Sequence, residues 1–143
     1  MKKILVATHA KFAEGIVSSI ELILGKQENL HFINAYIDEI PFNEKLDSFL
    51  NEHITEEDKL IIFTDVFGGS VNQTVLKYLT VENIFVISGV NLPVLLEVCM
   101  LGEQDVISTK LTEIVNSSKD QIIFANAEVA KVNTKQSDDD FDI

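Results

Sequence analysis

Short apolar runs alternate with stretches of helical periodicity along most of this chain, and that alternation leaves few folds open. Ile4-Leu5-Val6-Ala7, Asn29 to Ile37, Lys59 to Thr64 and Ile84 to Ser88 read as strands. Between the first two, Ala13, Ile16, Val17, Ile20, Ile23 and Leu24 recur at helical spacing over Phe12 to Leu24, and Gly25 can end that helix. Beyond a turn at Pro41, Leu46, Phe49, Leu50 and Ile54 form one apolar stripe. Ser70 can cap a helix that carries Val71, Thr74, Val75, Leu76 and Leu79. Pro93 can open another through about Met100, and Val106 to Val115 is a further amphipathic helix. Gln121 to Ala125 is a candidate fifth strand. Strands spaced by helices in this way predict an α/β fold, doubly wound, with a mostly parallel sheet covered by helices on both faces.

Length and charge narrow the function. A chain of 143 residues fits one domain with a proper core. We place that domain at residues 1–130, followed at 131–143 by an acidic tail with Asp138, Asp139, Asp140 and Asp142, expected to be disordered. The net charge is −12, and all eleven basic residues are lysines. Nucleic-acid binding is disfavoured, since it needs clustered positive charge against phosphates, and so is an anionic membrane surface. Without arginine, any phosphate must be held by backbone N–H groups, helix N-termini, hydroxyls or lysine. An acidic protein is also steered toward basic partner surfaces. No apolar stretch approaches the roughly 18 residues of a membrane span, and the apolar run after Lys2 and Lys3 is shorter than the about 7–15 of a signal peptide. A single cysteine, Cys99, forms no internal disulfide and suits a reducing cytoplasm; its apolar neighbourhood reads as core. These features predict a cytoplasmic protein.

Ligands of such sheets bind beyond the carboxyl ends of strands, where strand order reverses. His9 follows the first apolar run, and Asp65-Val66-Phe67-Gly68-Gly69-Ser70 follows the third. If those strands lie side by side, an imidazole and a carboxylate meet over a glycine-rich loop. A histidine accepts a phosphoryl group when one ring nitrogen is unprotonated and the other donates to a carboxylate. Asp65 is the candidate for that carboxylate. Gly68 and Gly69 permit close backbone approach, Ser70 adds a hydroxyl at a helix start, and Thr8 is a candidate second hydroxyl. Phosphoryl transfer asks mainly for positioning and charge stabilisation, so these parts suffice.

Each part also has an ordinary structural reading, as a surface histidine, a turn or a turn-forming aspartate. His31, in an alternating strand segment, and His53, on the polar side of a helix, invite only that reading. No second ligand stands at helical spacing from His9, so a histidine metal site is not expected. A flavin-binding protein of similar shape would want a hydroxyl-rich loop after the first strand; residues 8–15 offer one hydroxyl, and there is no tryptophan. A receiver domain would need an acidic pair where Thr8-His9 stands.

Four segments together carry a family resemblance: Ile4 to Thr8 followed by His9; Ala13-Glu14-Gly15; Asp65 to Ser70 followed by Asn72; and Gly89-Val90-Asn91-Leu92-Pro93. Over residues 1–130 the chain resembles the IIA component of the mannose-type (mannose, fructose, sorbose) family of the bacterial phosphoenolpyruvate-dependent sugar phosphotransferase system. The resemblance implies a phosphotransferase component in which His9 is phosphorylated, Asp65 holds its ring and Ser70 lies in the loop that meets the phosphoryl group. It implies the histidine phosphocarrier protein as donor, a separate IIB component as acceptor, and membrane IIC and IID components downstream. It implies no metal or organic cofactor, because the phosphohistidine is itself the intermediate. It further implies a homodimer that exchanges a last antiparallel strand, here around Gln121 to Ala125. Many relatives carry proline where this chain has Val71, whose N–H is an added donor. The alternative is a regulatory or phosphodonor module of the dihydroxyacetone kinase type, whose members resemble this chain less around Asp65 to Ser70.

Overall fold

The computed structural model describes the backbone of residues 1–141 and the side chains of residues 1–134. Four strands, β1 (Lys2–His9), β2 (Leu30–Ala35), β3 (Lys59–Thr64) and β4 (Ile84–Ser88), form one sheet in the order β2-β1-β3-β4, and every pairing is parallel. The helices are α1 (Phe12–Leu24), α2 (Phe42–His53), α3 (Ser70–Leu76), α4 (Leu92–Met100), α5 (Ser108–Lys119) and α6 (Ala125–Phe141).

Pleating divides the apolar runs between two cores, because successive strand residues face opposite sides. Ile4, Val6, Ile61 and Phe63 point to one face, where Ile16, Val17 and Ile20 of α1, Val94, Leu95 and Val98 of α4 and Leu111 and Ile114 of α5 cover them. Leu5, Ala7, Leu60 and Ile62 point to the other, against Leu46 and Phe49 of α2 and Val71 and Val75 of α3. The fold is thus doubly wound, as the alternation required. β1 and β3 are buried on both faces, which explains why their sequences read as unbroken apolar runs.

The connections have local causes. Gly25, at φ 81°, ends α1, and its N–H bonds to Glu21 O at 2.9 Å. Asn91 caps α4 by accepting from Val94 N at 2.9 Å, with Pro93 in the first turn. The Lys2 ammonium donates to the carbonyls of Val98, Cys99 and Leu101 at 2.7, 2.7 and 2.6 Å, so a β1 side chain satisfies the C-terminal end of α4. Burial lowers the pKa of that lysine.

Three expectations change. β2 is shorter than Asn29 to Ile37, because Tyr36 adopts a left-handed backbone at φ 64° and cannot continue the ladder. Gln121 to Ala125 is not a strand: Gln121 and Ile122 close a turn onto Ser118 and Lys119 carbonyls, and Ala125 starts α6. In place of a disordered tail from residue 131, the backbone is helical through Phe141; residues 142–143, with Asp142, lie outside the described residues. From Lys119 to Thr134 every residue is exposed, so no burial against the domain fixes this segment's conformation.

Candidate functional site

β1 and β3 are neighbours, and the chain leaves them in opposite directions across the sheet, to β2 from one and to β4 from the other. The strand order reverses between them, and His9 closes β1 there while Asp65 follows β3. One carboxylate oxygen of Asp65, Oδ2, accepts both the His9 backbone N–H and the His9 ring Nδ1, each at 2.9 Å. Its other oxygen accepts Val66 N at 3.0 Å. The Asp65 side chain is only 10% exposed, whereas that of His9 is 44% exposed, so the ring faces outward from a buried anchor. Burial alone raises the Asp65 pKa, but the bonds from the His9 backbone and ring, the charge of the ring and the local amide outweigh it and leave it lowered. A carboxylate only accepts, so Nδ1 carries a proton, and in the neutral ring Nε2 presents its lone pair.

The residues after both paired strand ends turn sharply. His9 pairs with Ala35, and Ala10 N continues the ladder to Ala35 O at 2.9 Å. Ala10 (φ 51°) and Tyr36 (φ 64°) then both take the left-handed region that favours glycine. Tyr36 comes to lie against the imidazole, with ring centroids 5.3 Å apart and planes inclined by 44°. Its hydroxyl meets Ser70 Oγ at 2.6 Å, and Ser70 Oγ stands 3.4 Å from His9 Nε2.

The loop from Asp65 to Gly69 is held from below by Asn72. Its fully buried side chain accepts Gly68 N at 2.9 Å and donates to Thr64 Oγ1 at 3.0 Å and to Ser88 Oγ. Gly68 has φ 82°, a conformation strained for any other residue. At Gly69 a Cβ would meet Val66 O at 3.3 Å and His9 Cε1 at 3.7 Å, so the missing side chain lets the loop close on the ring.

The candidate residues therefore separate. His9, Asp65, Gly69 and Ser70 converge. The amides of Gly68 and Gly69 are occupied, by Asn72 Oδ1 and Val66 O, so these glycines shape the loop instead of offering donors. The unpartnered donors are the first three amides of α3, those of Ser70, Val71 and Asn72, which meet no acceptor among the described residues. Thr8 stands apart, as a correction to its candidacy: it is fully buried, and its hydroxyl accepts Ala13 N at 2.7 Å at the start of α1. The pleat that presents His9 on one face sends Thr8 to the other. Tyr36 and the anchoring role of Asn72 were missed; a polar residue beginning a turn after a strand carries no motif. His31, His53 and Phe49 form a separate ring cluster with centroids 4.9–5.2 Å apart. Burial pushes the Cys99 thiol up to about 11, as suits a residue packed against the core. Among the described residues no group of three or more His, Cys, Asp or Glu is placed to hold a metal, and no helix is long and apolar enough to cross a membrane.

Known proteins share this arrangement of chain. The family described as "PTS system fructose IIA component", PTS being the phosphotransferase system, matches residues 3–119. The fructose-specific EIIA component of Bacillus subtilis is 26% identical over 141 residues, covering 96% of each chain. The mannose-specific EIIAB component of Escherichia coli is 30% identical over 109 residues, which are 71% of this chain and 32% of that longer protein. Among solved structures, one from Klebsiella pneumoniae described as a phosphoenolpyruvate-dependent sugar phosphotransferase system permease superposes with a TM-score of 0.84 at 30% identity, covering 90% of this chain and 93% of that one.

Proposed function

The chain belongs to the fructose/mannose IIA family of the sugar phosphotransferase system, and we propose that His9 is the residue on which it carries the phosphoryl group. The observation that carries this reading is the double hold of Asp65 on His9, which commits Nδ1 and leaves Nε2 on the partly exposed ring beside Ser70. The Nε2 lone pair attacks the phosphorus of a phosphohistidine on the donor protein. The donor's N–P bond breaks and its electron pair returns to the donor imidazole. Asp65 keeps the Nδ1 proton and balances the positive charge the ring acquires. Ser70 and the open amides of α3 donate to the phosphoryl oxygens. This chain supplies no leaving group and needs no metal or organic cofactor for that exchange.

In this reading the donor is the histidine phosphocarrier protein, and the acceptor is a separate IIB component that serves the IIC and IID membrane components. Exposed Phe12, Tyr36, Ile37, Val66 and Phe67 come from the segments that follow β1, β2 and β3, a rim suited to both partners. The reaction belongs in the cytoplasm. A homodimer completes the proposal: a groove of about 630 Å³ runs along the open edge of β4 and α5, past Phe85, Val86, Leu111 and Val115. Residues 121–124 of a second copy, with exposed Ile122 and Phe124, are its occupant.

The test is transfer from phosphoenolpyruvate through purified enzyme I and the histidine phosphocarrier protein to this chain, with His9→Ala as control. Acid-labile, base-stable label on the wild type alone is expected. Label retained on His9→Ala, or none on folded wild type, overturns the reading. The component that then removes the label separates a IIB acceptor from a kinase of the dihydroxyacetone type.

A further inference from the structure

We propose that Tyr36 is a positioning residue of this site, fixing the Ser70 hydroxyl toward His9 Nε2. The inference rests on the carrier reading above and adds to it a residue outside the His9 and Asp65–Ser70 segments. Its basis is the bonding polarity of one short chain of groups. Asp65 accepts and cannot donate, so Nδ1 is protonated, and in the neutral ring that takes up a phosphoryl group Nε2 is an acceptor. Ser70, at 3.4 Å from Nε2, must then give its hydroxyl proton to the ring. Its oxygen is left to receive, and the Tyr36 phenol at 2.6 Å is the donor. The order of donation is Tyr36 to Ser70 to His9.

That order matters when the phosphoryl group arrives. Nε2 becomes bonded to phosphorus and stops accepting, and the Ser70 proton is free to turn onto a phosphoryl oxygen. Tyr36 keeps the Ser70 oxygen in place through both states, so a single serine rotor serves the empty and the loaded ring. No bond to Tyr36 is made or broken, and its proton stays with it. The backbone supports the same role. Tyr36 holds a left-handed conformation that is strained for a bulky residue, and such strain persists where surrounding contacts over-determine it. Here those contacts are the Ser70 bond and the tilted packing on the imidazole.

The experiment is a double-variant cycle. Single-turnover acceptance from the phosphorylated histidine phosphocarrier protein is timed for wild type, Tyr36→Phe, Ser70→Ala and the pair together. The ¹⁵N resonance of His9 Nε2 is recorded for the same four proteins without phosphorylation. Tyr36→Phe keeps the ring and loses only the hydroxyl. It is expected to slow transfer about three- to tenfold, the value of one neutral hydrogen bond, with half-saturation by the donor unchanged. The pair is expected to be no slower than Ser70→Ala, because Tyr36 acts through Ser70. Wild-type speed in Tyr36→Phe, or losses that simply add, overturns the proposal. Should the wild type accept no phosphoryl group, the carrier reading falls, and the resonance still judges Tyr36. A shift shared by Tyr36→Phe and Ser70→Ala upholds the positioning role; an Nε2 signal unmoved by Tyr36→Phe ends it.

Discussion

At the scale of single residues, the site depends on one carboxylate oxygen that serves two donors of the same histidine. Asp65→Asn keeps an acceptor near the ring but loses the charge that offsets an imidazolium-like product. A charge-assisted hydrogen bond contributes about 1.5–3 kcal/mol, so transfer is expected to fall about 10- to 100-fold while the fold persists. Circular dichroism with single-turnover kinetics checks both halves; unchanged kinetics would reduce Asp65 to a turn former. The meeting of His9 and Asp65 was legible in the sequence because both follow apolar runs that pair as neighbouring parallel strands. Thr8 was misread for a reason equally physical: adjacent strand residues face opposite sides, and a hydroxyl beside the reactive ring in sequence is across the sheet from it in space. Tyr36 left no trace, since its position follows from a left-handed turn that no local pattern announces.

At the scale of elements, the loop before α3 is rigid because Asn72 ties it to Thr64 and Ser88. Asn72→Leu removes that tie and leaves the Gly68 amide without its acceptor, at an expected cost of about 1–3 kcal/mol in denaturant unfolding. Transfer should slow as well, because Ser70 loses its footing; full stability in this variant would show that water replaces the amide. Lys2→Met makes a parallel case at the other end of the sheet, taking the ammonium from the carbonyls of Val98, Cys99 and Leu101, and is expected to lower the unfolding midpoint. Helices with one apolar stripe and strands with unbroken apolar runs were readable. The segment at 121–125 was not: Gln121-Ile122-Ile123-Phe124 has the composition of a strand, but among the described residues no strand pairs with the open edge of β4, and the segment turns into α6 instead.

At the scale of the whole molecule, acid should loosen the fold through Asp58. The Thr55 backbone N–H holds this buried carboxylate well below its ordinary pKa against the opposing effect of burial; Lys3, the chain's N-terminal ammonium and the Thr55 hydroxyl assist. A folded-state value below the unfolded 3.8 means that this stabilisation is complete above that pH and is lost as pH falls beneath it. Asp58→Asn is expected to flatten the acid limb of the stability profile; an identical limb would place the acid sensitivity elsewhere. The two-layer core makes a larger demand. Leu46→Ala opens a cavity in the α2 face and is expected to cost about 2–5 kcal/mol by chemical denaturation, with little effect on transfer per folded molecule. Sedimentation should find a dimer that Phe124→Asp dissociates; a wild-type monomer would dismiss the exchange at β4.

On the carrier reading, the clamp of Asp65 on His9 has a consequence for how the protein deals with two different partners. The same oxygen holds the residue's backbone and its ring, so the imidazole is tied to the end of β1 and swings only by giving up its Nδ1 bond. The orientational entropy of the nucleophile is spent once, when the chain folds, and not again at each encounter. On the carrier reading, donor and acceptor then meet the same preoriented ring. On that reading the hold on the ring sets how the group is presented, while the direction of transfer follows from the phosphoryl potentials of the partners on either side.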